Sequence, residues 1–404
     1  MSSASLKTTV TLLTWFAAAP FFGAYASEPQ ATEVAFDFRY RLEYVDQENP
    51  LQRALASTLR SRMTVNTDIA RLFQVAPMSG LSALVEIDNV SNIGGQRFNS
   101  TVNGHNDYSV VADPEGTDVN QAFLSYRFSQ QSSITAGRQR VNYLNQRFLG
   151  GVGWRQNEQT FDGYRYQHAL SNISSLDVGY FHNVNRIFGP DGSSADHKGN
   201  FYTSLFTLQP AAGHQAAAFY YDFEFSDWQE RSSRTYGIDY SLAFAAPWAL
   251  KAQMTLARQD DAHQNTQNFT HSYHRLSIDW DFGPATLTVG QERLAGNGDS
   301  ALQTPLATLH AFNGFADIFL NTPADGLRDD WLALKGQHHK WKWRLAYHDF
   351  RADHGAHDYG DELDLTAQYV FSHQLSLLLK LASYQADSLA VDTNKAWFML
   401  SYKH

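Results

Sequence analysis

Apolar and polar residues alternate along most of this chain, beginning near residue 34. In the first such stretch the apolar positions are Val34, Phe36, Phe38, Tyr40, Leu42 and Tyr44, and the positions between them include Asp37, Arg39, Arg41 and Glu43. A period of two places these groups on opposite faces of a β-strand. About ten residues is also the length of a tilted strand that crosses a bilayer.

The same alternation recurs along the chain and predicts about 18 strands. Their approximate ranges are 34–45, 56–66, 81–90, 119–128, 133–142, 159–168, 174–184, 200–209, 214–224, 233–245, 248–258, 271–282, 284–294, 328–337, 340–350, 361–371, 374–384 and 394–404. Many of these strands carry charged residues on one face and apolar residues on the other.

Soluble β-sandwiches alternate in the same way, so the connections decide the fold class. Long polar connections at 91–118, 141–159, 186–198, 259–270 and 295–327 take turns with short ones at 129–132, 170–173, 209–213, 246–247, 283 and 337–339. This order predicts an all-β, transmembrane, antiparallel up-and-down β-barrel with short periplasmic turns and long external loops. The connection at 67–80 is longer than this arrangement requires of a periplasmic turn.

The first residues have the order of a secretory signal. Lys7 precedes an apolar run over 10–22, and Ala24-Tyr25-Ala26 supplies small residues for cleavage after Ala26. We therefore expect a signal peptide at 1–26 and a barrel domain at 27–404. An uncleaved anchor helix is the alternative, but the run is shorter than the ~20 residues of a membrane span.

Composition supports the barrel. Charged residues make up 18% of the chain and aromatic residues 14%, and no later segment has the apolar length of a transmembrane helix. Tyrosine and tryptophan in such numbers suit the aromatic belts of an outer-membrane barrel in contact with lipid. The chain has no cysteine, which excludes disulfides and thiolate sites, and its net charge of -10 argues against nucleic-acid binding.

Arginines on the polar faces are the candidate pore-lining residues. A guanidinium remains charged and binds a carboxylate through two hydrogen bonds, so a lumen lined by them favours anionic solutes. The same residues can instead pair with inward acids, and both interpretations stay open. The facing of Arg138 and Arg140 is ambiguous, because Ile134 and Ala136 share their parity. The candidates are Arg39, Arg41, Arg60, Arg62, Arg138, Arg140, Arg147, Arg155, Asp162, Arg165, Arg275, Arg344 and Glu362.

The connection over 302–320 has its own apolar pattern, with Leu306, Leu309, Phe312, Phe315 and Phe319 at three- or four-residue steps. This spacing predicts a short amphipathic helix inside a long external loop. Such a helix either enters the lumen as a gate or packs against neighbouring loops outside the barrel, and we favour the second arrangement.

An enzyme is not expected. The sequence contains no G-x-S-x-G elbow, H-E-x-x-H helix or phosphate-binding loop. The histidines at His338, His339, His354 and His357 fall in predicted connections and are interpreted as solvated. We therefore expect no catalytic residue, no cofactor and no metal.

Four stretches resemble the alginate export family of outer-membrane porins. They are VNQAFLSY from Val119 to Tyr126, a long run from Ala136 to Tyr166 that contains AGRQRVNYLNQRF, a third from Thr304 to Trp331 and a fourth from Tyr347 to Leu365. The resemblance implies an eighteen-stranded barrel that passes alginate, an anionic polysaccharide, through an arginine-rich lumen.

The expected function is therefore an outer-membrane channel for passive passage of anionic or sugar-like solutes, with alginate export implied by the resemblance. Export would require periplasmic secretion partners. The alternatives are an uptake porin for small organic acids or aromatic compounds and a plugged barrel without transport. We expect a monomer.

Overall fold

The wall of the molecule is one antiparallel sheet of 18 strands that closes on itself. The computed structural model describes residues 31–73, 79–244 and 249–404. Each strand pairs with its neighbours in sequence, and β1 also pairs with β18 in a register that runs from Asp37 opposite Lys403 to Gln47 opposite Thr393. Closure leaves no free sheet edge, which is the condition for crossing a bilayer with strands. The predicted all-β, up-and-down barrel is confirmed.

Each predicted strand corresponds to one observed strand, with ends that differ by a few residues. The strands are β1 Thr32–Gln47, β2 Ala54–Asp68, β3 Leu81–Asn92, β4 Gly116–Arg127, β5 Ser132–Gln139, β6 Thr160–Ser171, β7 Ser174–Asn185, β8 Asp196–Leu208, β9 His214–Phe225, β10 Ser233–Ala243, β11 Leu250–Asp261, β12 Thr270–Asp281, β13 Ala285–Leu294, β14 Leu327–His338, β15 Trp341–Arg351, β16 Asp358–Val370, β17 Leu375–Ala386 and β18 Thr393–Lys403.

The two faces of the wall differ as the alternation requires. Outward residues such as Val34, Ile278 and Leu363 have about half of their surface exposed, at 49%, 55% and 50%. Inward residues on the same kind of strand are buried, and Arg41 and Glu43 of β1 have no exposed surface. An apolar outer band around a polar interior is the arrangement that a barrel adopts in lipid.

Connections at the two ends of the barrel differ in length. One end carries the long connections 93–115, 140–159, 186–195, 262–269 and 295–326, and the other carries mostly short turns. The exception is the connection after β2, which begins with a short helix, α1, over Ile69–Phe73. In the part of the chain that the structure describes, single 3₁₀ turns occur at Gln229–Arg231 and Leu309–Ala311.

Two sequence predictions fall outside the described residues: the signal peptide at 1–26 and the turn at 246–247. Within the described ranges no helix has the length and apolar character needed to cross a membrane.

Ile278→Arg tests the outward assignment of the wall. Ile278 lies in the middle of β12 and is 55% exposed, so an arginine there meets mid-membrane lipid. We expect its folding into lipid vesicles to be less favourable by about 2–4 kcal/mol. Gln253→Arg on the inward face of β11 is the control, and equal folding of the two variants in vesicles would contradict the assignment.

Candidate functional site

Two of the long connections fold into the interior of the barrel. We call residues 140–159 inner loop A and residues 295–326 inner loop B. They join each other through a short parallel bridge between Leu149 and Leu306, and the Gly150 amide donates to the Leu306 carbonyl at 2.9 Å. The Thr308 amide donates to the Gln146 carbonyl at 3.0 Å. The two loops therefore form one unit across the lumen.

Inner loop B is fastened to the inward face of the wall. The Asn313 side-chain amide donates to Glu292 on β13 at 2.7 Å and to Asp329 on β14 at 3.1 Å. The amides of Phe315 and Ala316 donate to Glu362 on β16 at 2.5 and 2.7 Å. The loop thus extends along the wall inside the barrel, and the expectation that it packs outside is wrong.

The predicted amphipathic helix over 302–320 is also wrong. Only the single 3₁₀ turn Leu309–Ala311 forms there. Asn313, Gly314 and Asp317 have φ values of 54°, 80° and 61°, which a right-handed helix excludes. The amides that a helix would use at Phe315 and Ala316 are bonded to Glu362 instead. The apolar side chains pack inside the barrel. The ring centroids of Phe319 and Phe350, for example, are 4.5 Å apart.

Part of the interior wall is aromatic, which the sequence analysis missed. Strand β9 directs Phe219, Tyr221, Phe223 and Phe225 inward, each at most 4% exposed. Inner loop A packs on them, with the Phe148 ring 5.2 Å from that of Phe219. The aromatic run is visible in the sequence, but Asp222 and Glu224 hold the opposite parity of β9, so alternation alone would turn the rings toward lipid. Other strands also direct buried rings inward, including Phe181, Phe201 and Phe350, so the expectation of a charged interior holds only for part of the wall.

The arginines of inner loop A connect it to the wall and to inner loop B. The Arg147 guanidinium donates from Nε to Glu292 at 2.8 Å and from Nη2 to Asn313 at 2.8 Å. The Arg155 guanidinium lies 3.2 Å from Glu43 and 3.4 Å from Asp317. Both side chains are buried, so their charges are neutralised by these acids.

A second cluster surrounds Glu158 of inner loop A. Arg60, Arg62 and Arg140 all approach its carboxylate, and Arg62 also forms two hydrogen bonds to Asp88 at 2.6 and 2.5 Å. Burial alone would raise the pKa of Glu158, but the three guanidinium groups outweigh it and lower this pKa to about 2. Glu158 therefore remains charged and pairs with the arginines.

Three further inward arginines have partners. Arg41 lies 3.0 Å from Asp113, and Arg165 lies 2.6 Å from Asp177. Arg39 instead donates to neutral oxygens of inner loop A, including Gln156 Oε1 at 2.9 Å. These contacts favour the pairing interpretation for most of the candidate arginines.

Arg138 and Asp162 do not face the lumen. They are register partners on β5 and β6 and form a hydrogen bond at 2.9 Å. Arg138 shares its parity with Ile134, and Asp162 shares its parity with Tyr164, which are 41% and 56% exposed on the outer surface. These two candidates therefore lie on the outward face. Arg140, which follows the end of β5, turns inward to Glu158 and Glu86.

Arg275 and Arg344 differ from the other inward arginines. Neither has a hydrogen bond or an acid within ion-pair distance among the described residues. The Arg275 guanidinium carbon lies 4.7 Å from the ring centroid of Trp331 and 5.9 Å from that of Phe312. That of Arg344 lies 5.7 Å from the Phe315 ring. Both charges are held over aromatic faces, a favourable arrangement that leaves their N–H groups available to an anion.

Lys380 on β17 fastens the two inner loops at their meeting point. Its ammonium lies 3.1 Å from the ring centroid of Phe315 and 4.3 Å from that of Trp154. It also donates to Nε2 of His310 at 2.6 Å, while Nδ1 of His310 donates to Asp317 at 2.6 Å. Burial lowers the pKa of His310 to about 3, so its imidazole is neutral and accepts this bond.

Several solved structures share this architecture. OccAB4 of Acinetobacter baumannii superposes with a TM-score of 0.72 over 93% of this chain and 99% of that chain, at 11% identity. OccK9 (OpdG) of Pseudomonas aeruginosa gives 0.72 over 92% and 98%, at 14% identity. OpdK of the same organism, solved with vanillate, gives 0.70 over 92% and 98%, at 14% identity.

The fold is that of an outer-membrane porin. This porin fold and the apolar outer band together make the chain a multi-pass barrel of the outer membrane, as predicted. At these identities the likeness concerns the fold alone. No family model and no curated protein matches the sequence, so the resemblance to the alginate export family has no support from those comparisons.

Glu362→Ala tests whether the wall holds inner loop B. The substitution removes the acceptor of the Phe315 and Ala316 amides. Each bond is worth about 0.5–1.5 kcal/mol, so we expect hydrogen exchange of a peptide covering 313–319 to accelerate by about tenfold or more. Glu362→Gln retains an acceptor oxygen and is the control. Unchanged protection in the alanine variant would mean that Glu362 does not fasten the loop.

Proposed function

We propose that this porin fold serves passive uptake of small organic anions, including aromatic carboxylates. The observation that carries the proposal is the pair Arg275 and Arg344, which have no carboxylate partner among the described residues and lie over Trp331, Phe312 and Phe315. Cation and ring surfaces together match an anion that has both a carboxylate and an apolar ring.

The charge pairing of the remaining interior explains why these two residues matter. Arg62, Arg147 and Arg155 each lie within 3.4 Å of an inward or loop acid and contribute little net field to the lumen. A solute carboxylate that bound one of these arginines would displace the protein carboxylate already paired with it, and that protein carboxylate would be left without a partner. At Arg275 and Arg344 the solute gains a charge-assisted hydrogen bond at no such cost. Passage requires binding that is favourable but weak enough for release, which a partly exposed site provides.

Uptake of small solutes fits the inner loops better than export of a polymer. Inner loops A and B are joined to each other and bonded to β1, β13, β14 and β16 inside the lumen. A polysaccharide would need these contacts to open along a continuous path. The solved structure of OpdK with vanillate, an aromatic carboxylate, is consistent with the small-solute proposal for a barrel of this fold. Alginate export is the second candidate, resting on the four resembling stretches.

Replacing both Arg275 and Arg344 by glutamine tests the charge assignment. We expect the anion-to-cation permeability ratio to fall by about twofold or more, because two positive charges of the lumen that have no acid within ion-pair distance are removed. Reversal potentials in a planar bilayer at low salt measure this ratio, since screening at high salt hides it.

Arg138→Gln is the matched control, because it removes an arginine from the outward face. An equal effect of both changes, or no effect of the double substitution, would refute the assignment.

Solute competition separates the two candidate functions. Vanillate added on one side is expected to reduce the chloride current of the native channel and to have little effect on the double variant. An oligouronate that blocks more strongly than vanillate, with block that survives in the double variant, would favour the polysaccharide candidate. A channel without measurable conductance would instead indicate a plugged barrel.

A further inference from the structure

A glycine interrupts the inward face of the wall beside the candidate anion contacts. Gly290 lies in the middle of β13, between Thr288 and Glu292 on the inward parity. The indole ring of Trp331 from β14 fills the space of its missing side chain: a Cβ at Gly290 would lie 2.1 Å from ring atom Cζ2 and 2.4 Å from Cε2. Carbon atoms pack at about 3.5–4.0 Å, so any side chain at this position would collide with the ring.

The neighbours of Trp331 direct its ring toward Gly290. In register, Trp331 lies opposite Gly290 on β13 and opposite His348 on β15. His348 is held in place by Asp329, whose carboxylate bonds Nδ1 at 2.9 Å. With a fixed imidazole on one side and no side chain on the other, the ring packs on the β13 side and is only 7% exposed. Glycine inside a strand often marks the close approach of another group, as it does here.

The Trp331 ring reaches Arg275 by crossing Gly290. Strand β12 lies on the far side of β13, and its residue Ser277 is opposite Gly290. Arg275 precedes Ser277 on the same inward face, and its guanidinium carbon lies 4.7 Å from the Trp331 ring centroid. Strands β12 and β14 are roughly 10 Å apart, so this contact requires that the position between them carry no side chain.

Arg275 has an acid close by with which it does not pair. Glu292 on β13 is its direct register partner, and residues opposed in this way have Cβ atoms about 4.5–5.5 Å apart. The Glu292 carboxylate is already bound by three donors: Arg147 at 2.8 Å, Tyr273 at 2.5 Å and Asn313 at 2.7 Å. The face of Trp331 is thus the alternative to a saturated carboxylate. Without the ring, Glu292 is the nearest acid to which the Arg275 side chain can turn.

We propose that Gly290 determines the anion preference of the lumen, because it admits the Trp331 ring that holds Arg275 away from Glu292 and available to a solute. Gly290 and Trp331 are positioning residues that act through Arg275. This role rests on the proposed function, in which Arg275 is an anion contact. The position of the Arg275 guanidinium can nevertheless be measured without any solute.

Gly290→Ala is the test variant. The added methyl group forces the Trp331 ring to move by roughly 1 Å or more, and Arg275 is then expected to turn to Glu292. We expect the vanillate concentration for half block of the chloride current to rise by about threefold, measured in a planar bilayer at low salt. Phenylglyoxal reacts with free guanidinium groups. We expect it to modify Arg275 of the folded barrel about threefold more slowly, measured by peptide mass spectrometry.

Gly336→Ala is the matched control. Gly336 on β14 is covered in the same way by the indole ring of Trp343 on β15, and a Cβ there would lie 2.7 Å from Cζ2. This second pair is on the outward face, because Trp341 and Leu345 of the same parity are 44% and 42% exposed. Vanillate block and modification of Arg275 are expected to match those of the native protein. Heat-dependent migration of unboiled samples on a denaturing gel confirms that each variant is a folded barrel.

Trp331→Leu removes the ring itself. It is expected to weaken vanillate block and slow the modification of Arg275 as Gly290→Ala does. Combining the two substitutions is expected to add nothing, because both act through the same ring. Additive effects would show that Gly290 does not act through Trp331 and would overturn the proposal.

Three further results would also overturn it. Equal changes in Gly336→Ala and Gly290→Ala would indicate a general disturbance of the wall. Weaker block without slower modification of Arg275 would show that Gly290 does not act through this arginine. Native block in Gly290→Ala beside weakened block in Arg275→Gln would refute the role of Gly290 alone, whereas native block in Arg275→Gln would refute the proposed function at this residue and the role of Gly290 with it.

Discussion

Neutralisation of buried arginines by acids from distant segments is the constraint on which the interior of this barrel depends. A guanidinium inside the lumen is tolerable only when an acid or a hydrogen-bond acceptor meets it, and removing one partner of a buried pair costs about 3–5 kcal/mol. Inner loops A and B supply many of those partners. Arg147 meets Glu292 of the wall, and Glu158 meets Arg60 and Arg62 of the wall. The loops therefore enter the lumen because the charges on both sides require it.

This pairing also determines which inward charged groups are free to bind a solute. Once most inward arginines are satisfied, the residual chemistry of the lumen comes from the few that are not, and Arg275 and Arg344 are held by aromatic rings in place of acids. Charge selectivity in such a lumen therefore depends on the inward charges that have no ion-pair partner, and not on the total number of inward charges. Counting arginines along the sequence overstates the positive field, because it cannot subtract the partners.

The sequence predicted the wall well and the interior poorly. A period of two specifies which side of a strand each residue faces, so strand number, approximate strand ends and the inward facing of Arg41, Arg62 and Arg275 could be inferred. The inner loops could not, because their partners are remote: Arg147 and Glu292 are 145 residues apart. Loop B also showed a helical spacing that its wall contacts override. The alternation did not decide whether Arg138 faces the lumen or the outer surface. The structure pairs it with Asp162 on the neighbouring strand, and both lie on the outward face.

The meeting point of the inner loops imposes an order on assembly. Asp317 of inner loop B pairs with Lys395 on β18 at 3.0 Å, and Lys380 on β17 lies against Phe315, Trp154 and His310. These two lysines belong to the last strands of the chain. Until these strands dock, inner loop A and inner loop B have only their contacts with earlier strands, such as those to Glu292 of β13 and Glu362 of β16. The full set of contacts that holds the inner loops is therefore complete only when the final hairpin docks, and that docking also closes the wall.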